Sequence, residues 1–410
     1  MFGLFFGKMS KITAATTSLM LILFISLWTA GCQNEGKYLS KATAVTSLKI
    51  NSATQPVRND ETSVNISLVG DIMIHSDQLA YAYDYKSRSY SFAGIFDEIK
   101  NSLSSADLTI GNLETTLAGK NQTYSGFPKF NSPEQILTAL KDAGFDVLTT
   151  ANNHSMDRNQ YGVLKTIENL DAVNLKHTGT FSSVQERLDT LILDIKGIKI
   201  ALLAYTYGTN GLPVPPEKKY LVNLFNLNTL RQDILKARQD GADIVMVCPH
   251  FGIEYQQIPD KAKLRLVEEL FVAGADIVAG SHPHVLQPMG RRDLPKKSRG
   301  LFVAYSLGNF IASQRIKGTD SGVILNLQLV KNTDTGQVTL GKTSYIPTWI
   351  HKYRENGRTK FRVVEVEKAI RNYEQKMDNK ITAGDYLRLK QVWQDTNSLL
   401  TSEGLEVCHV

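Results

Sequence analysis

The stretch "PDKAKLRLVEELFVAGADIVAGSHPHV", residues 259–285, holds a helix, a strand and two histidines in one unbroken run. Apolar residues recur at helical spacing up to Gly274, which ends the pattern. The apolar, β-branched run "ADIVAG" follows, and His282 and His284 flank Pro283 directly beyond it. Helix, buried strand, then a polar residue at the strand's carboxyl end is the repeating unit of an α/β fold.

The unit recurs along the chain. Further strand-like runs are "SVNISLVGD" (63–71), "ADLTIGNLE" (106–114), "FDVLTTANNH" (145–154), "IKIALLAYTYG" (198–208), "ADIVMVCPH" (242–250) and "LFVAYSLGNF" (301–310). Helical patterns lie between them. In "SPEQILTALKDAG" (132–144), Ser132 reads as N-cap, Pro133 as the first helical residue, Gln135 as the closing member of a capping box and Gly144 as the stop. "LNTLRQDILKARQDG" (227–241) also ends in Gly. After residue 320, "GVILNLQLV" and "GQVTLGKTSYIP" read as strands joined by a "NTDTG" turn. The expected organisation is an α/β domain over 63–350 and a mainly helical C-terminal extension over 351–410.

The N-terminus has a different texture. Lys8 and Lys11 precede the apolar run "ITAATTSLMLILFISLW", which ends in "TAGC". This pattern predicts a lipoprotein signal peptide over 1–31, lipidation of Cys32, and a polar tether over 32–62. An uncleaved signal anchor is the alternative. Either way the body is expected on the outer face of the cytoplasmic membrane. The chain has 410 residues, 42% hydrophobic and 21% charged, with ample length for a buried core. A formal charge of +6 is too mild to argue for nucleic acid. Cys248 lies in an apolar run and reads as a buried hydrophobe, with a Cys248–Cys408 bridge the disfavoured alternative.

Polar residues gather at the strand ends: Asp71, Asn112, Glu114, Asn153, His154, His250, His282, His284 and Asn309. In open α/β sheets, ligands bind beyond these ends. In an extended "HPH" segment, with Pro283 biasing His282 toward β geometry, both imidazoles project to one side. Imidazole with carboxylate and amide oxygen suits Mn, Zn or Fe better than Ca, as one ion or two. A hydrogen-bonded loop without metal is the plainer alternative.

The ordered set "GDIM", "GNLE", "ANNHSMD", "HFGIEY", "GSHPHV" and "YSLGNF" resembles the CapA/PgsA family of poly-γ-glutamate capsule biosynthesis. The resemblance covers about residues 64–315, and the family is similar to the calcineurin-like metallophosphoesterases. It implies a β-sandwich flanked by helices. By the phosphoesterase pattern, Asp71 and His284 hold a first metal, and Asn153, His250 and His282 a second. His154 then meets the substrate or protonates a leaving oxygen, a task suited to imidazole. The pattern is broken twice: Met73 stands where a histidine is usual, and Asn112 where a bridging aspartate is usual. Glu114 can supply the charge that Asn112 lacks. One metal, two or none therefore stays open.

Glu254 of "HFGIEY" is a further catalytic candidate, able to orient His250 or to bind metal or substrate, or else an ordinary surface residue. Asn309, Arg291 and Arg292 are candidates for substrate binding, the two arginines through the basic loop "RRDLPKKSRG" (291–300). The resemblance implies an anionic polymer such as poly-γ-glutamate, membrane synthase and export components, and the bilayer itself as partners. It leaves two roles open: assembly, export or retention of the polymer, and metal-dependent hydrolysis of an envelope substrate.

Overall fold

The computed structural model describes residues 61–294, 297–401 and 405–408. The expected signal peptide, Cys32 and nearly all of the tether lie outside them. The first apolar run forms β1 (Glu61–Ile72), so the last two residues of the expected tether belong to a strand. The helix α1 (Ser76–Ala82) and a small hairpin, β2 (Tyr83–Asp84) and β3 (Ser89–Tyr90), come next. Then follow α2 (Lys100–Ser104), β4 (Leu108–Leu113), α3 (Gln135–Ala143), β5 (Val147–Thr149), α4 (Asn159–Ala172) and β6 (Lys176–Thr178). After α5 (Val184–Leu188), a second set comprises β7 (Leu191–Ile195), β8 (Ile198–Thr206), α6 (Leu227–Gln239), β9 (Ile244–His250) and α7 (Lys261–Ala273). It closes with β10 (Ile277–Ala279), β11 (Met289–Leu294) and β12 (Lys297–Ala304). The chain then crosses back through β13 (Asn309–Ile311), β14 (Ser321–Asn332), β15 (Val338–Glu355) and β16 (Arg358–Glu365). It ends with α8 (Val366–Glu374), α9 (Ala383–Leu400) and β17 (Glu406–Val407).

Two sheets result. One runs β16-β15-β14-β1-β4-β5-β6, with β13 paired to β1 and β17 to β15; the other runs β11-β12-β10-β9-β8-β7. A single apolar cluster joins them, with Val64, Ile66 and Leu68 of β1 in the same core as Ile200, Met246, Ile277 and Phe302. The outer face of the first sheet is covered by α2 and α3 through Leu103, Ile136 and Leu140. α6 and α7 cover the second through Ile234, Val267 and Leu270. This helix–sheet–sheet–helix layering is the expected sandwich. No helix among the described residues is long and apolar enough to cross a membrane.

Several local expectations change. Ser132 does not cap α3; its hydroxyl pairs with Thr115 Oγ1 at 2.8 Å, and the helix begins at Gln135. Gly144 does end that helix, with φ at +103°. The expected domain boundary at 350/351 falls inside β15, because Asn356 and Gly357, with φ of +50° and +75°, turn the chain into the hairpin partner β16. Among the described residues, α-helix in the C-terminal segment is therefore confined to α8 and α9. Cys248 and Cys408 are both free.

That C-terminal region carries a buried ionic network. Arg362 reaches Glu98 (3.2 Å), Asp378 (2.5 Å) and His351 Nδ1 (3.1 Å). Arg388 grips both oxygens of Asp320, whose Oδ2 also accepts from Trp349 Nε1 at 2.9 Å.

Candidate metal centre

The parallel strands β1, β4, β8, β9 and β10 point their carboxyl ends at one edge, and the candidate residues meet there. Gly70 sets up the first of them. A Cβ on it would lie 1.8 Å from the Gly308 carbonyl oxygen, so a side chain does not fit. The close approach lets the Asp71 N–H donate to Gly308 O at 3.0 Å and brings Asn309 level with Asp71. The register of β1 with β4 puts Asn112 alongside. Asp71, Glu114, His250, His282 and His284 are all between 0% and 3% exposed.

The two histidines of the "HPH" segment do share one space, but for a different reason than expected. The segment is a turn: φ is +99° at His282 and +59° at His284. Positive φ at a non-glycine residue costs of order 1–3 kcal/mol, so the surroundings must enforce it. They do so through the His282 N–H, which donates to Asp71 Oδ2 (3.3 Å), and through Pro283 O, which accepts from the Tyr255 N–H (2.8 Å). His284 Nδ1 lies 3.1 Å from both Asp71 Oδ2 and Asn309 Oδ1. Asn309 thus orients a histidine.

Asn112 is turned away from the ligand role expected of it. Its Oδ1 accepts from Thr149 Oγ1 (3.2 Å) and Asn152 Nδ2 (3.4 Å), which fixes the amide's orientation. Its Nδ2 then donates to Asp71 Oδ1 (2.8 Å) and faces Glu114 Oε2 (3.4 Å). An amide here holds two carboxylates side by side, where an aspartate would repel both. Glu114 takes the central place. One ligand atom each from Glu114, His282 and His284 lie within 4.8 Å of one another, as do atoms of Asp71, Glu114 and His250. Glu114 belongs to both groups. Its Oε1 and His282 Nδ1 are buried without a hydrogen-bond partner. Buried polar atoms are almost always paired, so two orphans in one cluster of carboxylates and imidazoles fit a divalent cation. Met73 faces the apolar core and offers no ligand.

His250 Nε2 lies 2.9 Å from Asn153 Oδ1, and its Nδ1 lies 2.8 Å from Ser281 Oγ. Both ring nitrogens are thus engaged without Glu254, which is exposed and does not orient this ring. The expected trio of Asn153, His250 and His282 is brought together; the rings of His250 and His282 are 4.7 Å apart.

Burial and charge set the protonation of the cluster. Burial holds His250 down at about 3, and burial with the neighbouring imidazoles holds His282 at about 2. Burial also opposes charge on His284, but Glu114 and Asp71 outweigh it and raise this ring to about 9. Asp71 is pushed up by burial yet falls to about 2, because His284 bonds and neutralises it. Burial, reinforced by the Asp71 charge, drives Glu114 well above the ordinary range. Without a cation the cluster therefore holds the Asp71–His284 ion pair, while burial and the Asp71 charge oppose ionisation of Glu114. A dication would reverse that, since its own charge is the largest in such a site.

His154 stands at the edge of the cluster with Nδ1 2.7 Å from Asp157 Oδ2, and Phe130 packs edge-on against its ring at 4.7 Å. Ser155 closes a turn on Asn152, and Asp157 fixes His154 and accepts from the Phe130 N–H at 2.6 Å. The spacing of three residues was the available signal. Lys263 carried one too: it sits on the apolar stripe of α7 with Val267 and Leu270. Buried there, its Nζ donates to Phe251 O (3.1 Å) and Gln287 Oε1 (2.8 Å), joining the loops that carry His250 and the "HPH" turn.

Arg291 and Arg292 are not at the site. Arg291 binds the carbonyls of Leu340 and Gly341. Leu340 lies level with Leu329 and hence with Val64, the other end of β1 from Asp71. At about 3.3 Å per residue this is roughly 20 Å away. Arg292 donates to Arg291 O in the same strand.

Residues 65–314 match the family described as bacterial capsule synthesis protein PGA_cap. The chain is similar to the capsule biosynthesis protein CapA of Bacillus anthracis, 29% identical over 70% of each chain. It is also similar to the PGA biosynthesis protein CapA of Bacillus subtilis, 28% identical over 66% of this chain and 68% of that one. Among solved structures it is similar to the calcineurin-like phosphoesterase YfkN of Bacillus subtilis, with a TM-score of 0.37 and 14% identity, covering 82% of this chain and 98% of the other. The match extends from the strand that carries Asp71 to the loop beyond Asn309, and on it the chain is a member of the bacterial PGA_cap capsule synthesis family.

Proposed function

We propose that this protein is an exported, membrane-anchored component of anionic capsule-polymer biosynthesis, of the poly-γ-glutamate type, and that its buried cluster holds one or two divalent ions. The observation that carries the metal part is the pair of orphaned atoms, Glu114 Oε1 and His282 Nδ1, within a buried cluster of carboxylates and imidazoles. Glu114, His282, His284, Asp71 and His250 would hold the ions, and the donor set favours Mn, Zn or Fe. When bound, such an ion supplies positive charge to an oxygen or carboxylate of the substrate. Family membership supports the capsule role; the sequence pattern "TAGC" at Cys32 supports the lipid anchor and the outer-face location. Membrane synthase and export components are the proposed partners.

The test is genetic and chemical together. Deleting the coding sequence should abolish cell-bound capsule polymer; the intact chain should restore it, and a Glu114→Gln/His282→Ala variant should not. Restoration by that variant would remove the cluster from the function.

A second reading, metal-dependent hydrolysis of an envelope substrate, is favoured by the His154–Asp157 pair. Asp157 orients the imidazole by accepting at Nδ1, which leaves Nε2 for proton exchange with a substrate oxygen. Phosphoester turnover lost on chelation and in His282→Ala would establish it.

A further inference from the structure

Beside the cluster lies a groove of about 490 Å³, lined by Tyr255, Gln256, Gln257, Ile258, Ile316 and Lys317. Its size is in the range of binding clefts, and its floor is built rather than incidental. Tyr255 is held at φ +65°, a strained value for a tyrosine, by its N–H bond to Pro283 O at 2.8 Å. Gln256 O accepts from Gln287 Nε2 at 2.6 Å, and Gln287 is gripped in turn by the buried Lys263. The groove is therefore rigidly fixed to the loop bearing His282 and His284, and the Tyr255 ring lies 6.1 Å from that of His284.

Its chemistry is specific. Ile258 is 80% exposed and Ile316 48% exposed, and together they give the groove an apolar wall. The side chains of Gln256 and Gln257 are exposed amides, each both donor and acceptor. Lys317 is exposed with no carboxylate partner among the described residues, and neighbouring Arg315 bonds only Gln314 O and Ser313 Oγ.

We propose that this groove takes a segment of an anionic polyamide. Methylene groups would cover Ile258 and Ile316, amide bonds would pair with the two glutamines, and a pendant carboxylate would meet Lys317. The repeat of γ-linked polyglutamate, with two methylenes, one amide and one free carboxylate, presents all three features. The assignment rests on the capsule-polymer reading above and names where the polymer lies.

The test is binding of a fluorescent γ-linked glutamate decamer to the full-length chain in detergent, at low and moderate salt. Lys317→Glu and Ile258→Asp each alter an exposed side chain, and unchanged metal content verifies that each variant is folded. Each should weaken binding at least tenfold, and added salt should weaken the wild type. His282→Ala should lose metal yet bind the decamer within a few-fold of wild type. If the wild type binds and both groove variants bind equally well, the groove assignment falls while the polymer reading stands. If the wild type does not bind the decamer at either salt, the polymer reading falls and the groove with it. Equal affinity for a sulfated polysaccharide of matched length would overturn recognition of the polyamide.

Discussion

Two buried polar clusters sit in this fold, and they are built on opposite plans. In the C-terminal region three carboxylates have a permanent cation: Arg362 serves Glu98 and Asp378, and Arg388 serves Asp320. At the strand ends, Asp71 and Glu114 have only imidazoles as ion-pair partners among the described residues. A guanidinium is always charged and cannot leave; an imidazole can give up its proton when a metal arrives. The first plan fastens α8 and α9 to the sheet. The second leaves room for a removable cation, and this difference separates a structural network from a binding site where burial alone does not.

The contrast can be broken most forcefully at Arg362. Arg362→Met leaves Glu98 and Asp378 without their cation and should cost about 3–5 kcal/mol in chemical denaturation. Metal content of the folded protein should not change. Glu114→Gln should do the reverse. Because burial and the Asp71 charge already oppose ionisation of Glu114 when no cation is present, the neutral amide relieves that opposition, and metal-free stability should stay the same or rise slightly. Metal affinity by titration should fall at least about 100-fold, the upper end of the effect of losing even an outer-shell partner.

Acid separates the two regions next. His250 and His282 are depressed from 6.5 to about 3 and about 2, and His351 of the C-terminal network to about 4, in each case chiefly by burial. A base depressed in the folded state means the unfolded chain binds more protons, so stability falls as pH drops below 6.5. Below about pH 4 the loss from His351 is complete, and the two cluster histidines continue the decline together with the depressed carboxylates Asp71 and Asp320. His282→Asn should make that lower limb shallower by one proton, about 1.4 kcal/mol per pH unit. The smallest effect belongs to Asp157→Asn, expected to cost about 1–2 kcal/mol through its bonds to His154 and Phe130 while leaving metal binding intact.

The sequence shows the gathering of polar residues at strand ends because strand periodicity and a polar terminus are both local features. Asp71, Glu114, His250, His282 and His284 could be named on that basis. The division of roles among them could not. Asn112 reads as a deficient bridging ligand until its neighbours Thr149 and Asn152, from another strand and loop, are seen to turn the amide around. Arg291 reads as part of the mouth because the turn to β11 is hidden, and the strand carries it away from the site. The β15–β16 hairpin does have a local signal in Asn356–Gly357, where both residues adopt positive φ. Lys263 is legible only as an anomaly, a cation on an apolar stripe, since its partners Phe251 and Gln287 come from separate loops.

The most direct measurement is elemental analysis of the purified full-length chain beside its Glu114→Gln and His282→Ala variants, after equilibration with Mn, Zn and Fe and removal of loose metal. Between one and two tightly held equivalents in the wild type, lost from both variants, is the expected result. A wild type that retains no metal, or variants that retain as much as the wild type, would contradict a cluster assembled to bind a cation.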